Sequence, residues 1–390
     1  MQGDVRVVRS GAAVLVATLV LGAVACGSGE SATPRPAAPV DDVRLNQIQV
    51  MGTHNSYRVR PPAELFDYLK VQSPELASEL DYAHRPLTEQ FSLLGNRQIE
   101  LDVYPDPAGG RYLDRPFSAQ VGLASSPVGA EAEVLAAPGT KVLHVDGIDY
   151  ASTCPTFVAC LTEVRDWSVA NPTHLPIMIL VEVKTPTFPP PAPVTGAELD
   201  ALDAEIASVF PPEAVITPDD VRNGAATLRD AVTTTGWPTL AESRGKVMFA
   251  LDNGGQVRDD YLVGHAGLEG RTMFASMEST DDPAAAFFKE NDPLGENLTQ
   301  IQDLVRQGFI VRTRADEPVV QVSANDRSRL EAALSSGAQF VSSDYLEPDL
   351  SYSEYVASLP EGGVARCNPV SGPPGCDNAA LRSDTQGVSP

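Results

Sequence analysis

Basic residues are scarce in this sequence of 390 residues. Its 28 Lys and Arg stand against 52 Asp and Glu, so the formal net charge is −24. No run of Lys or Arg forms the basic stripe that is typical of nucleic-acid-binding proteins, and nucleic acid is therefore not an expected partner. Anionic lipid also repels an acidic surface, so approach to such a membrane requires a tether, a cation or an exposed apolar loop.

Apolar runs long enough for a typical membrane span are also lacking. The main candidate, residues 11–25, is short for a span, follows a basic start and ends in small residues, as in a secretory signal peptide. Cys26 then precedes Gly and Ser, as at a bacterial lipoprotein cleavage site, although a Leu is more usual where Ala23 stands. We predict an exported protein with a signal peptide at 1–25 and a lipid anchor on Cys26. Plain secretion is the alternative.

Cysteine is rare, with five residues in the chain. Apart from Cys26 they form two close pairs, Cys154 with Cys160 and Cys367 with Cys376. In an exported protein these pairs predict two disulfides, although four cysteines allow three connectivities. The spacing lacks the histidine partners of a zinc site, so we do not expect structural zinc.

Composition divides the chain into four parts. After the signal peptide, residues 26–43 are small, polar and Pro-rich, which predicts a flexible tether. Residues 44–360 contain the regular apolar pattern of one folded domain. Residues 361–390, rich in Gly, Pro, Ser and Asn, predict a disulfide-stapled stub followed by a loose tail.

Eight apolar runs rich in β-branched residues alternate with helix-like segments such as 196–210. Several are too continuously apolar for a sheet with one solvated face, which favours buried parallel strands. The alternation predicts a single-domain (β/α)₈ barrel of the TIM type. An open doubly wound sheet is the alternative, but no Gly-rich phosphate-binding motif follows the first strand. The predicted strands are 48–53, 98–104, 141–145, 177–183, 246–251, 272–276, 309–314 and 339–343.

Polar residues interrupt several of these runs near the carboxyl end, where chemistry sits in such a barrel. Glu100 and Asp102 share one face of the second strand, because residues i and i+2 point the same way. With Glu182 of the fourth strand they would repel one another in the barrel mouth, and a divalent cation resolves that conflict. Together with the amide of Asn55 they form an all-oxygen set, which suits Ca²⁺ before Mg²⁺.

Two histidines flank this predicted metal site. His54 ends the first strand and His144 the third, so they can divide the roles of general base and general acid. Lys184 and Arg312 add positive charge suited to a phosphate. Each signal is weak alone, since a lone histidine is more often structural and Glu182 can simply pair with Lys184. The other three histidines, at loop or helix-flanking positions, are expected to be structural: His84, His174 and His265.

The segment Gly52-Thr53-His54-Asn55-Ser56-Tyr57, with Glu100-x-Asp102, His144 and Glu182-x-Lys184, resembles the catalytic half of calcium-dependent phosphatidylinositol-specific phospholipases C. Val341-Ser342-Ser343-Asp344-Tyr345 is similar to their last barrel strand, which tends to carry Asn in place of Asp344. The resemblance spans about residues 44–345 and is strongest to a bacterial and fungal single-domain branch.

The resemblance implies one Ca²⁺ ion and cleavage of phosphatidylinositol at a membrane surface to diacylglycerol and an inositol cyclic phosphate. It implies that His54 takes the proton of the inositol 2-hydroxyl and that His144 stabilises charge or protonates the leaving oxygen. Lys184, Arg312 and Tyr345 are the implied substrate contacts, and Asp344 and Arg314 have no assigned role. We expect a monomer.

Two other functions fit parts of the pattern. Glycerophosphodiesterases and sphingomyelinase-D-like enzymes also combine a first-strand His, an E-x-D pair and a second His, but the former usually open with His-Arg where this chain has His54-Asn55. A non-catalytic anchored lipid-binding lipoprotein is the second alternative. It is disfavoured because both histidines and all four proposed ligands are present.

Overall fold

The computed structural model describes residues 40–186 and 193–383. The predicted signal peptide, Cys26 and most of the predicted tether lie outside these residues. At the end of that tether, Val40–Asp42 form a 3₁₀ turn, and Val43 is buried in the core. No helix in the described part of the chain combines the length and apolar character that crossing a membrane requires.

Parallel strands form the centre of the fold. Within the described residues eight of them close a barrel in the order β1, β2, β4, β6, β7, β8, β9, β10 and back to β1. The predicted TIM-type barrel is therefore confirmed. The strands are β1 Ile48–Thr53, β2 Gln98–Tyr104, β3 Lys141–Val142, β4 Ile177–Val183, β5 Val215–Ile216, β6 Val247–Leu251, β7 Met273–Ala275, β8 Phe287–Lys289, β9 Ile310–Arg314, β10 Phe340–Ser343 and β11 Arg366–Cys367.

Burial explains why the apolar runs become barrel strands. Side chains of β4 point alternately to the barrel interior and to the surrounding helices, so both faces are covered and nearly the whole strand is buried. Its register with β2 places Asp102 beside Glu182. The continuous apolar sequence therefore fixes the strand, and its register brings the polar residues near its end together with those of β2.

Helices surround the barrel. The helix α6 shows the local signals clearly: Thr195 caps it in a reciprocal box with Glu198, and Leu199, Leu202 and Ile206 are buried along one side. The helices are α1 Ala63–Gln72, α2 Pro74–Glu79, α3 Leu87–Leu93, α4 Ala130–Ala136, α5 Phe157–Ala170, α6 Gly196–Val209, α7 Pro218–Arg222, α8 Leu228–Asp230, α9 Leu240–Ser243, α10 Gly255–Leu262, α11 Glu296–Arg306, α12 Val320–Ala324, α13 Ser328–Ser335 and α14 Asn378–Ser383.

The predicted third barrel strand, 141–145, is wrong. Only Lys141–Val142 form a strand, and it runs antiparallel to β2 because the chain turns back there, with the Val142 N–H bonded to the Pro155 carbonyl. His144 therefore lies on a loop. The barrel strand absent from the prediction is β8, whose three residues are too few to give a periodic pattern.

Both cysteine pairs form the local disulfides, Cys154–Cys160 and Cys367–Cys376. The first joins the His144 loop to α5. The second holds β11, which pairs antiparallel with the first residues of β1. The two bridges therefore lie at opposite ends of the barrel, since β1 starts at the end far from its catalytic loops.

Candidate active site and metal site

A tight turn follows β1 and presents His54 and Asn55 at the barrel mouth. Asn55 has a φ of 46°, in the left-handed region that Asn tolerates better than most residues. The N–H of Ser56 then bonds to the Glu100 carbonyl at 2.9 Å, and the His54 N–H lies 3.4 Å from the Ser343 carbonyl. The turn is thus fixed between the two neighbouring strands, β2 and β10.

Three carboxylates converge beside this turn. Each of Glu100, Asp102 and Glu182 has an oxygen within 4.8 Å of the others, and the first two side chains are buried. Burial raises the pKa of Glu100 to about 7, with Asp252 and Glu182 raising it further and Arg312 opposing them. Burial likewise raises the pKa of Asp102 well above its usual range, against the effect of Lys184. Placing these three carboxylates close together therefore costs free energy, and a bound cation would offset that cost.

Unpartnered oxygens show that a hard cation fits this cluster. Asn55 Oδ1 and Asp102 Oδ1 are buried and accept no hydrogen bond from any residue in the described part of the chain. The Asn55 amide nitrogen donates to the Tyr82 hydroxyl at 2.9 Å, which fixes the amide and leaves its oxygen available. A buried acceptor without a partner is costly. Carboxylate and amide oxygens are the ligands that Ca²⁺ and Mg²⁺ prefer.

Two side-chain cations already neutralise part of the cluster. Lys184 Nζ lies 3.1 Å from Asp102 Oδ2 and 2.9 Å from Glu182 Oε1. Arg312 is buried inside the barrel and donates to Glu100 Oε2 at 2.5 Å. Both predicted phosphate contacts therefore lie at the acidic cluster.

His54 stands between two carboxylates. Its Nδ1 lies 2.9 Å from Asp344 Oδ1, so Nδ1 carries the proton and the unprotonated Nε2 faces Glu100 Oε1 at 3.7 Å. Burial lowers the pKa of His54 well below its ordinary value; Arg314 lowers it further and Asp344 opposes them. The imidazole is accordingly neutral near pH 7, as a general base must be.

Asp344, which had no role in the sequence analysis, orients this histidine. Its second oxygen accepts from Arg314 at 2.8 Å, and its N–H donates to Asp316 Oδ1 at 2.9 Å. Burial alone would raise the pKa of Asp344, but His54 and Arg314 outweigh it and hold that pKa well below the usual range. Asp344 is therefore a charged partner for Nδ1–H.

His144 reaches the same mouth from its loop. A turn bonds its N–H to the Asp149 carbonyl at 3.1 Å, and its Nδ1 lies 2.8 Å from Asp149 Oδ2. His144 and His54 line one cavity of about 560 Å³, which we call the mouth cavity, with Tyr82, Arg314 and Glu79 among its other walls. Both histidines thus lie on one cavity, each with Nδ1 against a carboxylate.

Tyr345, His84 and His174 are not among the residues that line the mouth cavity. Tyr345 is buried and accepts a hydrogen bond from the Val319 N–H at 3.0 Å. His174 is buried between the Ser168 hydroxyl and the Leu175 carbonyl. His84 Nε2 lies 2.7 Å from the His54 carbonyl, so this histidine supports the turn after β1.

Sequence analysis did not predict the ion pair between Lys289 and Asp252 in the barrel. Lys289 at the end of β8 donates to Oδ2 of Asp252, the residue after β6. Asp252 Oδ1 is buried without a partner among the described residues. Asp252 could have been noticed, because it follows an apolar run like the other strand-end acids. Lys289 gave no signal, since its strand was not predicted.

Comparison with known proteins identifies the family. A profile of the family described as Ca²⁺-dependent phosphoinositide phospholipase C matches residues 43–369, most of the chain. The chain belongs to this family. The predicted family is confirmed, as is the prediction of a phosphoric diester hydrolase. No curated protein matches the sequence significantly.

Solved structures of phosphoinositide phospholipases C match this chain over most of its length. A calcium-dependent phosphoinositol-specific phospholipase C from a Gram-negative Pseudomonas species, in its myo-inositol complex, is 17% identical with a TM-score of 0.51, covering 84% of this chain and 96% of that one. An apo crystal form from Pseudomonas is 18% identical, with a TM-score of 0.50 and coverage of 85% and 98%. A Streptomyces antibioticus enzyme is 18% identical, with a TM-score of 0.49 and coverage of 77% and 95%. At these identities the Pseudomonas structures show a common barrel fold.

Proposed function

We propose that this protein cleaves the phosphodiester of phosphatidylinositol in a calcium-dependent reaction and releases diacylglycerol and an inositol cyclic phosphate. One observation carries the proposal: His54 and His144 lie on one cavity, each with Nδ1 held by a carboxylate, beside a cluster of oxygen ligands. Family membership supports a phosphoinositide substrate and a calcium requirement.

His54 acts as the general base. Asp344 holds its Nδ1–H, so Nε2 is the atom that accepts the proton of the inositol 2-hydroxyl. The hydroxyl oxygen then attacks phosphorus and closes the cyclic phosphate, and the P–O bond to diacylglycerol breaks.

His144 acts on the leaving side. Its Nδ1–H is held by Asp149, so Nε2 of the protonated imidazole gives a proton to the departing diacylglycerol oxygen. One proton enters His54 and one leaves His144, so the step balances. When water opens the cyclic product, the two histidines exchange roles.

One Ca²⁺ ion is the proposed cofactor, held by Asn55, Glu100, Asp102 and Glu182. When bound, such an ion lowers the pKa of a coordinated hydroxyl and offsets negative charge on the phosphoryl oxygens. Lys184 and Arg312 lie against the same carboxylates, so they can hold a phosphate that sits at the cluster.

A headgroup assay tests this proposal. Purified residues 40–390 are added to vesicles that contain phosphatidylinositol, phosphatidylcholine or sphingomyelin, with Ca²⁺ or with a chelator, and ³¹P NMR identifies the products. We expect cyclic inositol phosphate from phosphatidylinositol alone, and only with Ca²⁺. Release of choline or glycerol products with phosphatidylinositol left intact contradicts the substrate and favours one of the other phosphodiesterases.

Export as a lipid-anchored monomer belongs to the same proposal. A lipid on Cys26 would bring an acidic enzyme to its substrate without a basic surface, and a di- or triacylated Cys would be required because one chain binds only marginally. Mass spectrometry of the full chain produced in a bacterial host tests processing at Cys26. Light scattering tests the monomer.

A further inference from the structure

Arg58 lies four residues after His54 and is completely buried. Its guanidinium group makes three short bonds: Nε donates to Asp149 Oδ2, Nη1 to the Tyr82 carbonyl and Nη2 to the Leu80 carbonyl, each at 2.5 Å. A buried charge is tolerated only when it is paired and its donors are satisfied, and here they are directed at two separate segments of the chain. Each of those segments contacts one of the two active-site histidines.

Towards His144 the link runs through Asp149. The same carboxylate oxygen that accepts from Arg58 lies 2.8 Å from His144 Nδ1. A guanidinium group is planar and rigid, so it restricts where that carboxylate can stand. The orientation of the His144 ring therefore depends on Arg58, although the two side chains share no direct hydrogen bond.

Towards His54 the link runs through Tyr82. The guanidinium carbon of Arg58 lies 4.2 Å from the centre of the Tyr82 ring, in a cation–π contact. That ring stacks beside the His54 ring, with centroids 5.9 Å apart and planes at 29°. The Tyr82 hydroxyl lies 3.3 Å from His54 Nδ1 and accepts from the Asn55 amide at 2.9 Å. Moving Tyr82 would therefore disturb His54 and Asn55 together.

Backbone pairing places Arg58 where it can serve both sides. Arg58 forms a bridge with Ser152, and the Thr153 N–H donates to the Tyr57 carbonyl at 2.8 Å, so the turn after β1 is paired with the His144 loop. The His84 N–H donates to the Arg58 carbonyl at 2.9 Å. Three segments thus meet at one residue.

We infer that Arg58 is a positioning residue that sets the orientation of both His54 and His144, through Tyr82 and Asp149. Stability alone is a weak reason for such a group, because a buried ion pair often contributes little net free energy compared with apolar packing. The catalytic roles of the two histidines rest on the proposed function. The positioning of their rings by Arg58 is independent of it.

The test compares Arg58→Met with two variants by NMR of ¹⁵N-labelled histidine side chains, which reports the tautomer and hydrogen bonding of each ring. Arg58→Met changes the signals of both His54 and His144. Asp149→Asn changes those of His144 alone. The matched control is Arg271→Met, because Arg271 also stacks on a buried tyrosine, Tyr261 at 4.3 Å, and pairs with carboxylates. It leaves both histidine signals unchanged.

Kinetics give the second readout. In Arg58→Met, kcat towards phosphatidylinositol falls about 100-fold through misplacement of the reacting groups, while KM stays within about threefold. If Arg58→Met does not fold, Arg58→Lys keeps the charge without the planar fork and gives the same change at both histidines. Unchanged histidine signals in a folded Arg58 variant overturn the inference. If the wild-type protein has no phospholipase activity and Arg58→Met still changes the signals of both histidines, the inference is supported and the proposed function is contradicted.

Discussion

The Nδ1 atom of His54 lies 2.9 Å from Oδ1 of Asp344, and this pair joins the first barrel strand to the last across their ends. The same carboxylate also binds Arg314, which lines the mouth cavity. The Asp344 carboxylate thus fixes the tautomer of His54 and also offsets the positive charge of Arg314 at the mouth cavity.

Asp344→Asn tests that role. We expect kcat to fall about 100-fold, because the amide accepts a weaker hydrogen bond from His54 Nδ1–H and leaves Arg314 without its charge partner. Calcium affinity should not change, since Asp344 is not a proposed ligand. Steady-state kinetics and calorimetric Ca²⁺ titration measure the two effects. Unaltered kcat would show that an amide supports His54 equally well.

Replacing either active-site histidine separates chemistry from metal binding. His54→Ala and His144→Ala should each lower kcat about 10²- to 10⁴-fold, which is the range for a general acid or base. Each should keep Ca²⁺ affinity nearly intact. His265→Ala is the control, because His265 follows α10 at the opposite end of the barrel. Full turnover in His54→Ala removes that residue from the mechanism.

Replacing a proposed ligand should lower the affinity for Ca²⁺ while the protein remains folded. We expect Asp102→Asn and Glu182→Gln to raise the Kd for Ca²⁺ at least about 10-fold, since even partners outside a ligand set cost that much. Calorimetric titration gives the Kd. Asp259→Asn, which changes an exposed carboxylate paired with Arg258, serves as the control and should leave the Kd unaltered. Equal affinities in all three variants would place the ion elsewhere.

Calcium should also stabilise the folded protein. An ion that binds only the native state at 100 times its Kd adds about 2.7 kcal/mol to the free energy of unfolding. Urea unfolding with and without Ca²⁺ measures this gain, and Asp102→Asn, with a Kd raised at least about 10-fold, should lose about half of it or more. A gain of the same size in Asp102→Asn would assign the stabilisation to another site.

Local patterns predicted β1, β2 and β4 to the residue, because each is a short run rich in apolar residues that is buried along nearly its whole length. The same patterns placed Glu100 and Asp102 on one face. Pairing between distant segments was not predictable in this way. His54 contacts Asp344, 290 residues further on, and β3, just before His144, pairs antiparallel with β2. The periodicity of a short stretch of sequence indicates neither of these contacts.

His174 should make stability depend on pH in a defined window. Burial lowers the pKa of His174 to about 4, whereas an unfolded histidine titrates near 6.5. Between these values the unfolded chain binds the extra proton, so stability falls as pH drops from about 6.5 to 4, by up to about 3 kcal/mol. The difference in unfolding free energy between wild type and His174→Gln, measured by urea titration, isolates this contribution. A difference independent of pH across the window contradicts it.

The two disulfides offer a matched comparison, since they close loops of similar length, with separations of 6 and 9 residues. Loop entropy predicts a similar loss of stability, about 2 kcal/mol, when either is replaced by two serines. Their effects on turnover should differ. Cys154–Cys160 fixes the end of the loop that carries His144, so its loss lets that loop move and lowers kcat about 10-fold or more. Cys367–Cys376 lies at the other end of the barrel.

Replacing Cys367 and Cys376 should therefore leave kcat unchanged while lowering the midpoint of urea unfolding to a similar extent. Kinetics and unfolding are measured on both double variants at a temperature where each is fully folded. Parallel losses of kcat in the two variants would mean that activity follows global stability. A loss confined to the Cys154/Cys160 variant means that turnover depends on how firmly the His144 loop is held, because the loss of stability is common to both.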